Sequence, residues 1–363
     1  MSDAVLHYPS GIPVRNLWLL MLYASPLVRY DGWGRYALET DSEAIPDLVA
    51  ELLVQRLQQR LKRPLNTQPQ PQQASLQRLR GRVQMLPTLR QQAQQRGQVV
   101  CEFTPLQPHH TPYCYVRAAL ESMVDLVTRP SLRRQCQQLI AQLKQRGVTG
   151  TKPDRWRMRQ ASTARHEYAE RILLTLADLA FDLRLPSEQA GEHHLLSAER
   201  EDLAWLRHLY EKAVAGFYQV VLPEQGWRVS AGKRLYWPVQ QPSAGLKTFL
   251  PQMQSDIILE QPQQAKRIVI DTKFTHILKP NRFHAQRFSS PHLYQLYTYL
   301  MSQSGQGDPL ADHASGLLLH PAVEQSYHEQ MTVQQHCIRF ATVDLAASSA
   351  SIRAQLLDSL QGL

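Results

Sequence analysis

The chain has 363 residues, of which 43% are hydrophobic and 20% charged, a composition typical of globular rather than disordered proteins. Forty basic residues against 31 acidic ones give a formal net charge of +9, which favours a polyanionic partner, nucleic acid first among them. The four cysteines form no C-x-x-C pair, which excludes a cysteine-based zinc framework and predicts a reducing, cytoplasmic location.

The N-terminal part reads as helical. Residues 9–28 predict a buried helix, with Asn16 as its candidate cap. The apolar run within it, residues 17–28, is broken by Pro26 and is too short to span a bilayer, so we expect no membrane association. A second amphipathic helix is predicted over residues 44–61.

A proline- and glutamine-rich bridge over residues 62–73 leads into two predicted strands, residues 79–85 and 98–104. The region is basic because of Arg78, Arg80, Arg82, Arg90 and Arg96. These side chains fit contacts with DNA phosphates, contacts with a protein partner, or a merely solvated face, and the sequence does not choose among the three.

Residues 111–190 predict a basic, helical middle region that ends in a polar linker at 186–197. A loop around Trp156 interleaves basic residues with an aromatic ring, which suits nucleic-acid backbone contact and base stacking. Packing of the tryptophan among the helices is the equal alternative.

The C-terminal half predicts a mixed α/β unit. It has a helix at 198–222, strands within 226–240, a central hairpin, a helix at 291–302, strands at 314–321 and 336–344, and a last helix at 350–360. We therefore predict an α/β protein with three parts, namely an α+β region at 1–110, a helical region at 111–190 and an α/β domain at 191–363.

The central hairpin holds the candidate chemistry. Two apolar, strand-like runs, QMQSDIIL and RIVIDTKF, carry Asp256 on the first run and Asp271 and Lys273 on the second. On a strand, the two residues Asp271 and Lys273 share a face, with Cα atoms ~7 Å apart.

Carboxylates on neighbouring strands can hold a hard cation such as Mg²⁺ or Mn²⁺, which polarises a phosphate and acidifies a bound water. Lys273 would orient that water and offset negative charge. The pattern D-(x14)-D-x-K has the form of the PD-(D/E)xK nuclease core. A surface hairpin that ends in a solvated Asp271–Lys273 ion pair is the plain alternative.

Two flanking helices add candidates. Gln295 and Tyr299 lie at i and i+4 of a helical stretch and resemble the Q-x-x-x-Y helix of RecB-like nucleases, although an ordinary amphipathic helix would look the same. Glu211 lies on the helix before the sheet, where PD-(D/E)xK folds often place another acid, although an exposed helical glutamate is the commoner case.

Several segments together resemble the McrC family, in chain order from about residue 12 onwards: IPVRNLWLLMLYA, LRGRV, VVCEFTPL, SDIIL, IVIDTKF, HLYQLYTYL and SGLLLHP. McrC is the nuclease subunit of the McrBC modification-dependent restriction system. The resemblance implies an N-terminal region that docks on a hexameric AAA+ GTPase of McrB type, stimulation of GTP hydrolysis, and a C-terminal PD-(D/E)xK nuclease domain that cuts DNA carrying methylated cytosine.

The resemblance also implies roles for single residues. Asp256 and Asp271 would bind Mg²⁺ or Mn²⁺, Lys273 would be catalytic, Glu211 would be a further metal ligand, and Gln295 and Tyr299 would support the site. No P-loop motif occurs, so GTP is expected only through the partner. The expected substrate is double-stranded DNA with a modified cytosine, and the expected role is defence against foreign DNA.

Two other functions fit the same residues. A stand-alone RecB-like repair nuclease would cut without a GTPase, although no cysteine cluster for an Fe–S centre is present. A non-catalytic adaptor would bind DNA and activate an AAA+ GTPase without cutting, although the intact D…D-x-K pattern argues against decay of the site.

Overall fold

A computed structural model describes residues 12–29, 44–63, 67–69, 72–103, 106–108, 110–156, 158, 168–189, 200–280, 285–322 and 325–363. The chain forms two compact units, the first from Met1–Val49 with Leu179–Leu363 and the second from Ala50–Asp178. Within the described ranges, no helix is long and apolar enough to cross a membrane.

The first unit opens with helix α1 (Val14–Ala24), which confirms the helix predicted near the N-terminus. Its apolar side chains are buried, and it ends at Ser25, where the backbone turns extended. The predicted cap is wrong, because Pro13 occupies the cap position. Asn16 is fully buried, and its Nδ2 donates instead to the carbonyl oxygens of Leu345 (2.7 Å) and Ala347 (2.9 Å).

The second unit combines helices with short strands. In chain order, its elements are α2 (Ile45–Leu61, which starts in the first unit), β1 (Thr67–Pro69), β2 (Gln72–Leu76), β3 (Arg82–Val83), α3 (Met85–Arg90), β4 (Val99–Phe103), β5 (Leu106–Pro108), α4 (His110–Met123), α5 (Pro130–Gln145) and α6 (Tyr168–Gln189, which ends in the first unit). Strands β2, β4 and β3 form an antiparallel sheet in that order, and β1 pairs with β5.

The predicted strand at 79–85 is reduced to β3, for two local reasons. Gly81 has a φ of +71°, and a Cβ there would lie 2.3 Å from the carbonyl oxygen of Glu102, so the chain turns where only glycine fits. Helix α3 then begins at Met85. The five arginines of residues 78–96 belong to the second unit, whereas the candidate site residues belong to the first.

A buried ion pair stabilises the second unit. Arg60 and Glu170 lie 3.2 Å apart with side chains only 4% exposed, and the hydroxyl of Tyr113 donates to the same Glu170 oxygen at 2.7 Å. Shared hydrogen bonding of this kind offsets the cost of removing both charges from water.

Trp156 is 57% exposed, which contradicts the alternative in which its ring packs among the helices.

The remaining elements build the first unit. They are α7 (Arg200–Val221), β6 (Arg228–Ala231), β7 (Arg234–Leu235), α8 (Leu246–Phe249), β8 (Met253–Gln254), β9 (Ile257–Gln261), β10 (Lys266–Thr272), β11 (Leu278–Pro280), β12 (Gln286–Phe288), α9 (Ser290–Gln303), α10 (Pro309–Asp312), β13 (Ser315–Pro321), β14 (His328–Val333), β15 (His336–Val343) and α11 (Ser349–Asp358). The linker predicted at 186–197 is wrong at its start, because α6 continues to Gln189; residues 190–199 lie outside the described ranges.

A mixed six-stranded sheet dominates this unit, with strand order β14-β15-β13-β10-β9-β6. Strands β10, β13 and β15 run parallel to one another, and the outer pairings are antiparallel. Strand β10 is central and buried along most of its length, as its β-branched run predicts. The mixed α/β class predicted for the C-terminal half is confirmed.

The candidate hairpin is β9 and β10, paired antiparallel so that Ile257 faces Ile270. The first predicted strand is split, since β8 ends at Gln254 and β9 begins at Ile257. The break is hydrogen bonded, because Ser255 N–H donates to the carbonyl of Lys233 (3.1 Å) and Gly232 N–H donates to that of Asp256 (2.8 Å). Asp256 therefore lies at a fixed bend rather than within a strand.

Helix α9 packs on β10 and β13 over a shared apolar core. Its buried members are Leu235, Met253, Ile258, Val269, Ile277, Leu296, Tyr299, Leu300, Ala314, Leu318, Ile338 and Phe340. The helix and sheet approach closely at Gly316, where an added Cβ would lie 2.9 Å from Leu296 Cδ2 and 3.0 Å from Leu300 Cδ1. A small residue at this place therefore sets the distance of α9 from the sheet.

The two compact units do not follow the three predicted ranges. Residues 1–110 are divided between both units, since α1 belongs to the first unit and β1–β5 to the second. The division of function among 1–110, 111–190 and 191–363 stays a prediction.

Candidate active site

Asp256 lies at the sheet edge formed by the ends of the strands, immediately before β9 begins and opposite the last residues of β10. Its Oδ2 accepts two hydrogen bonds from Thr272, one from the backbone N–H (2.7 Å) and one from the hydroxyl (2.8 Å). Because Thr272 is only 8% exposed, this pair of bonds fixes the orientation of the Asp256 carboxylate.

Asp271 is the next-to-last residue of β10, and its side chain is completely buried. Lys273 follows two residues later on the same face, with Nζ 3.1 Å from Asp271 Oδ1 and 2.9 Å from Oδ2. The lysine backbone is held as well, because its N–H donates to the carbonyl of Leu319 on β13 at 2.9 Å. The solvated ion pair considered from the sequence is therefore wrong, since the carboxylate has no access to water.

Helix α9 completes the group. Lys273 Nζ donates to Gln295 Oε1 at 3.0 Å, and Gln295 Nε2 donates to the hydroxyl of Tyr299 at 2.6 Å. Gln295 and Tyr299 are one turn apart on the helix face that meets the sheet, so their i, i+4 spacing gives this contact directly. A continuous chain of polar contacts thus runs from Asp271 through Lys273 to Tyr299.

The electrostatics of the group are dominated by burial. Burial raises the pKa of Asp271 to about 7, while Lys273 opposes the rise and Asp256 adds to it. Burial also raises the pKa of the Tyr299 hydroxyl, against the hydrogen bond from Gln295. A buried carboxylate with a pKa near neutrality, beside a lysine and a second acid, is the kind of perturbed group found at functional sites.

Glu211 lies on α7 and is less closely integrated. Burial raises its pKa, the neighbouring charge of Asp256 raises it further, and Lys212 and Lys273 lower it. Its side chain is 38% exposed, and its carboxylate lies 3.8 Å from His208 Nδ1. Glu211 therefore interacts electrostatically with Asp256 and Lys273 from a partly exposed position. Its role as a metal ligand stays a prediction.

Two residues at this site have roles that the sequence did not predict. One is Thr272, whose N–H and hydroxyl orient Asp256. The other is His320 on β13, which is 1% exposed and has Nδ1 2.9 Å from the carbonyl oxygen of Thr275. Burial lowers the pKa of His320 to about 3, so the ring is neutral and its Nδ1–H donates to that carbonyl.

The side chains present suit a hard cation only in part. Asp256 and Asp271 supply carboxylate oxygens, and Asp271 Oδ2 is buried without a directed hydrogen bond among the described residues, although it lies beside Lys273. Within the same ranges, no three His, Cys, Asp or Glu side chains lie close enough together to hold a metal. Magnesium is commonly bound through one or two carboxylates, with water and substrate oxygens filling the other positions, so the donor set fits that mode.

These features define a mixed α/β protein with a buried carboxylate–lysine group at one edge of its central sheet. The sequence profile of the family described as McrBC 5-methylcytosine restriction system component matches residues 7–320. The chain therefore belongs to this family, and the resemblance to McrC noted from the sequence is confirmed.

The individual proteins to which the chain is similar are also described as McrBC proteins or complexes. The chain is 22% identical, over 355 residues, to the type IV methyl-directed restriction enzyme EcoKMcrBC of Escherichia coli strain K12, with 96% of this chain and 97% of that protein covered. It is also similar to a chain of the tetradecameric assembly of Thermococcus gammatolerans McrB AAA+ hexamers with bound McrC, at 13% identity and a TM-score of 0.43, covering 95% of this chain and 75% of that one. A second structure, the McrBC complex of the same organism, gives 13% identity and a TM-score of 0.34, covering 58% of this chain and 57% of that one.

Proposed function

We propose that this chain is the nuclease subunit of a McrBC-type restriction complex, cutting DNA by metal-dependent phosphodiester hydrolysis at a PD-(D/E)xK site. The observation that carries the proposal is the convergence of Asp256, Asp271 and Lys273 at one sheet edge, with Lys273 Nζ held between Asp271 and Gln295. Membership of the McrBC family supports a role in restriction of DNA that carries modified cytosine.

Asp256 and Asp271 are the residues that would hold Mg²⁺ or Mn²⁺ at this edge. When bound, such a cation polarises the scissile phosphate and lowers the pKa of a coordinated water. Asp256 presents a carboxylate already oriented by Thr272, which limits the reorganisation needed on binding. Glu211 stands at the rim as a candidate further ligand.

Lys273 has two tasks in this proposal. Its ammonium neutralises part of the buried Asp271 charge and can donate a hydrogen bond that orients the attacking water or stabilises negative charge on a phosphate oxygen. Gln295 accepts from Nζ and is itself held by Tyr299, so the long lysine side chain keeps one orientation. Gln295 and Tyr299 are therefore positioning residues rather than groups that react.

An AAA+ GTPase of McrB type is the proposed partner, since the relatives named above are McrBC proteins and assemblies. No P-loop sequence occurs in this chain, so GTP would enter the complex only through that partner. The partner would recognise the modified base, and this chain would hydrolyse the phosphodiester bond.

The test is cleavage of methylated and unmethylated plasmid by the chain with its AAA+ partner, GTP and Mg²⁺. Asp271→Asn and Lys273→Gln are expected to lower cleavage by at least roughly a thousandfold while leaving stimulation of the partner's GTPase intact. Asp358→Asn, an exposed acid on α11, is the matched control and is expected to cut normally.

Three results would count against the proposal. Normal cutting by Asp271→Asn would remove the site assignment. A wild type that accelerates GTP hydrolysis but never cuts would favour the non-catalytic adaptor. Equal cutting without partner or GTP would favour a stand-alone repair nuclease.

A further inference from the structure

A loop of seventeen residues, 236–252, leaves the active-site edge between β7 and β8. Its two ends are paired, since Leu235 faces Met253, and both side chains are buried in the same apolar core as Tyr299. Strand β8 ends at Gln254, and only Ser255 and Asp256 separate it from the start of β9 at Ile257. The loop is therefore joined to the candidate site by a few residues of fixed backbone.

Further hydrogen bonds hold the base of this β7–β8 loop. Trp237 Nε1 donates across it to the carbonyl of Pro251 at 2.7 Å, and Gln303 Nε2 on α9 donates to the carbonyl of Tyr236 at 3.0 Å. Trp237 also packs against the core. The base is thus anchored to the helix that carries Gln295, and the conformational cost of presenting the loop is reduced before any ligand binds.

The loop presents aromatic rings to solvent. Phe249 is 82% exposed and Tyr236 is 77% exposed, the highest values for large apolar side chains within the described ranges. Tyr294, the residue before Gln295 on α9, is 66% exposed. Large apolar side chains this exposed, on segments joined directly to the candidate site, are features of a binding surface.

The charge of the segment is one-sided. Residues 233–252 contain Lys233, Arg234 and Lys247 and no aspartate or glutamate. Lys233 Nζ pairs with Glu260 Oε1 on β9 at 3.3 Å, so Arg234 is the cation assigned to a ligand. Arg234 is exposed at the start of the loop. A cation next to exposed aromatic rings matches a ligand that alternates phosphates with apolar sugar faces, which is the surface of duplex DNA.

We propose that the β7–β8 loop binds duplex DNA beside the cutting site, with Arg234 on phosphates and Tyr236 and Phe249 packed against the deoxyribose sugars. This inference rests on the proposed nuclease function, because it is the position of the loop beside Asp256 that selects DNA over another polyanion or a protein. The rings give affinity that is independent of salt, and the arginine gives affinity that falls with salt.

The experiment measures binding of the full chain, alone and with its AAA+ partner, to a fluorescent duplex in EDTA, so that nothing is cut. Tyr236→Ser and Phe249→Ser are each expected to weaken binding roughly tenfold at every salt concentration, because each removes apolar area that the DNA would cover. Arg234→Gln is expected to lower the slope of log affinity against log salt by about 1. Leu86→Ser, in the second unit and 70% exposed, is the matched control and should bind as the wild type does.

Several results overturn the inference. They are unchanged duplex binding by both ring variants, an equal loss in Leu86→Ser, or no measurable duplex binding by the wild type. Ring variants that bind duplex normally but no longer stimulate the partner's GTPase would assign the loop to a protein contact instead. Asp271→Asn, which should bind but not cut, separates the two proposals: cleavage tests the nuclease, and binding in EDTA tests the loop.

Discussion

The buried carboxylate of Asp271 predicts an unusual dependence of stability on pH. Burial raises its pKa from 3.8 to about 7, against the opposing effect of Lys273. The folded protein therefore binds this proton more tightly than the unfolded chain does. The stability contribution is fully present below pH ~4 and is lost as pH rises through about 7. Asparagine does not titrate, so Asp271→Asn should lack this loss.

The size of the effect follows from the shift. A rise from 3.8 to about 7 corresponds to ~4 kcal/mol between the fully protonated and fully ionised limits. Between pH 5 and pH 8 the wild type should lose ~2–3 kcal/mol of this, because at pH 5 part of the cost is already present. The substitution also changes packing and the pairing of Lys273, but that contribution is the same at each pH.

The assay is urea unfolding in EDTA at pH 5, 6, 7 and 8, followed by tryptophan fluorescence. The stability of Asp271→Asn minus that of the wild type should increase by ~2–3 kcal/mol across this series, mostly between pH 5 and pH 7, and level off above the folded pKa of about 7. Asp358→Asn, whose side chain is exposed, controls for the general loss of a negative charge and should give a flat difference. A flat or falling difference for Asp271→Asn would refute the account of a carboxylate held out of water.

Substitutions at three further positions test the surroundings of the site. Thr272→Val removes the hydroxyl donor to Asp256 but keeps the backbone one, so cleavage should fall roughly tenfold, measured as kcat with the melting temperature nearly unchanged. His320→Asn keeps an N–H donor where Nδ1 lies, so its cleavage rate should stay within roughly threefold of the wild type. His320→Gln moves the donor away from the Thr275 carbonyl, so its cleavage rate should fall roughly tenfold. Equal rates in the two variants would show that His320 does not position the turn after Lys273. Gly316→Ala forces Leu296 and α9 away from the sheet and should cost ~1–3 kcal/mol in urea unfolding, and an unchanged midpoint would show that the helix yields freely.

The parts of the site that could be predicted are those encoded by local periodicity. The β-branched run before Asp271 predicts a buried central strand, and period two places Lys273 on the same face. The spacing of Gln295 and Tyr299 predicts one helix face. These patterns need no knowledge of distant residues, and the contacts among Asp271, Lys273, Gln295 and Tyr299 follow from them.

The parts that could not be predicted depend on long-range pairing. Thr272 meets Asp256 only because of the register in which β9 pairs with β10, and a shift of one residue would turn Thr272 to the other face. His320 reaches Thr275, 45 residues earlier, because β13 runs parallel to β10. Strand β14 was missed because it is an exposed edge strand, and only its last residues, from Gln330 to Val333, alternate between polar and apolar.

The bonds from Asn16 to Leu345 and Ala347 join residues about 330 positions apart. Both ends of the chain are thus needed to close the first unit, whereas residues 50–178 are contiguous. During synthesis from the N-terminus, residues 50–178 can bury their core early, whereas α1 must wait for α7, the helix on which it packs, and Asn16 must wait for the segment that holds Leu345 and Ala347. On the function proposed above, residues 50–178 are made before any of the candidate site residues, so a partly synthesised chain can carry the folded second unit without a cutting site.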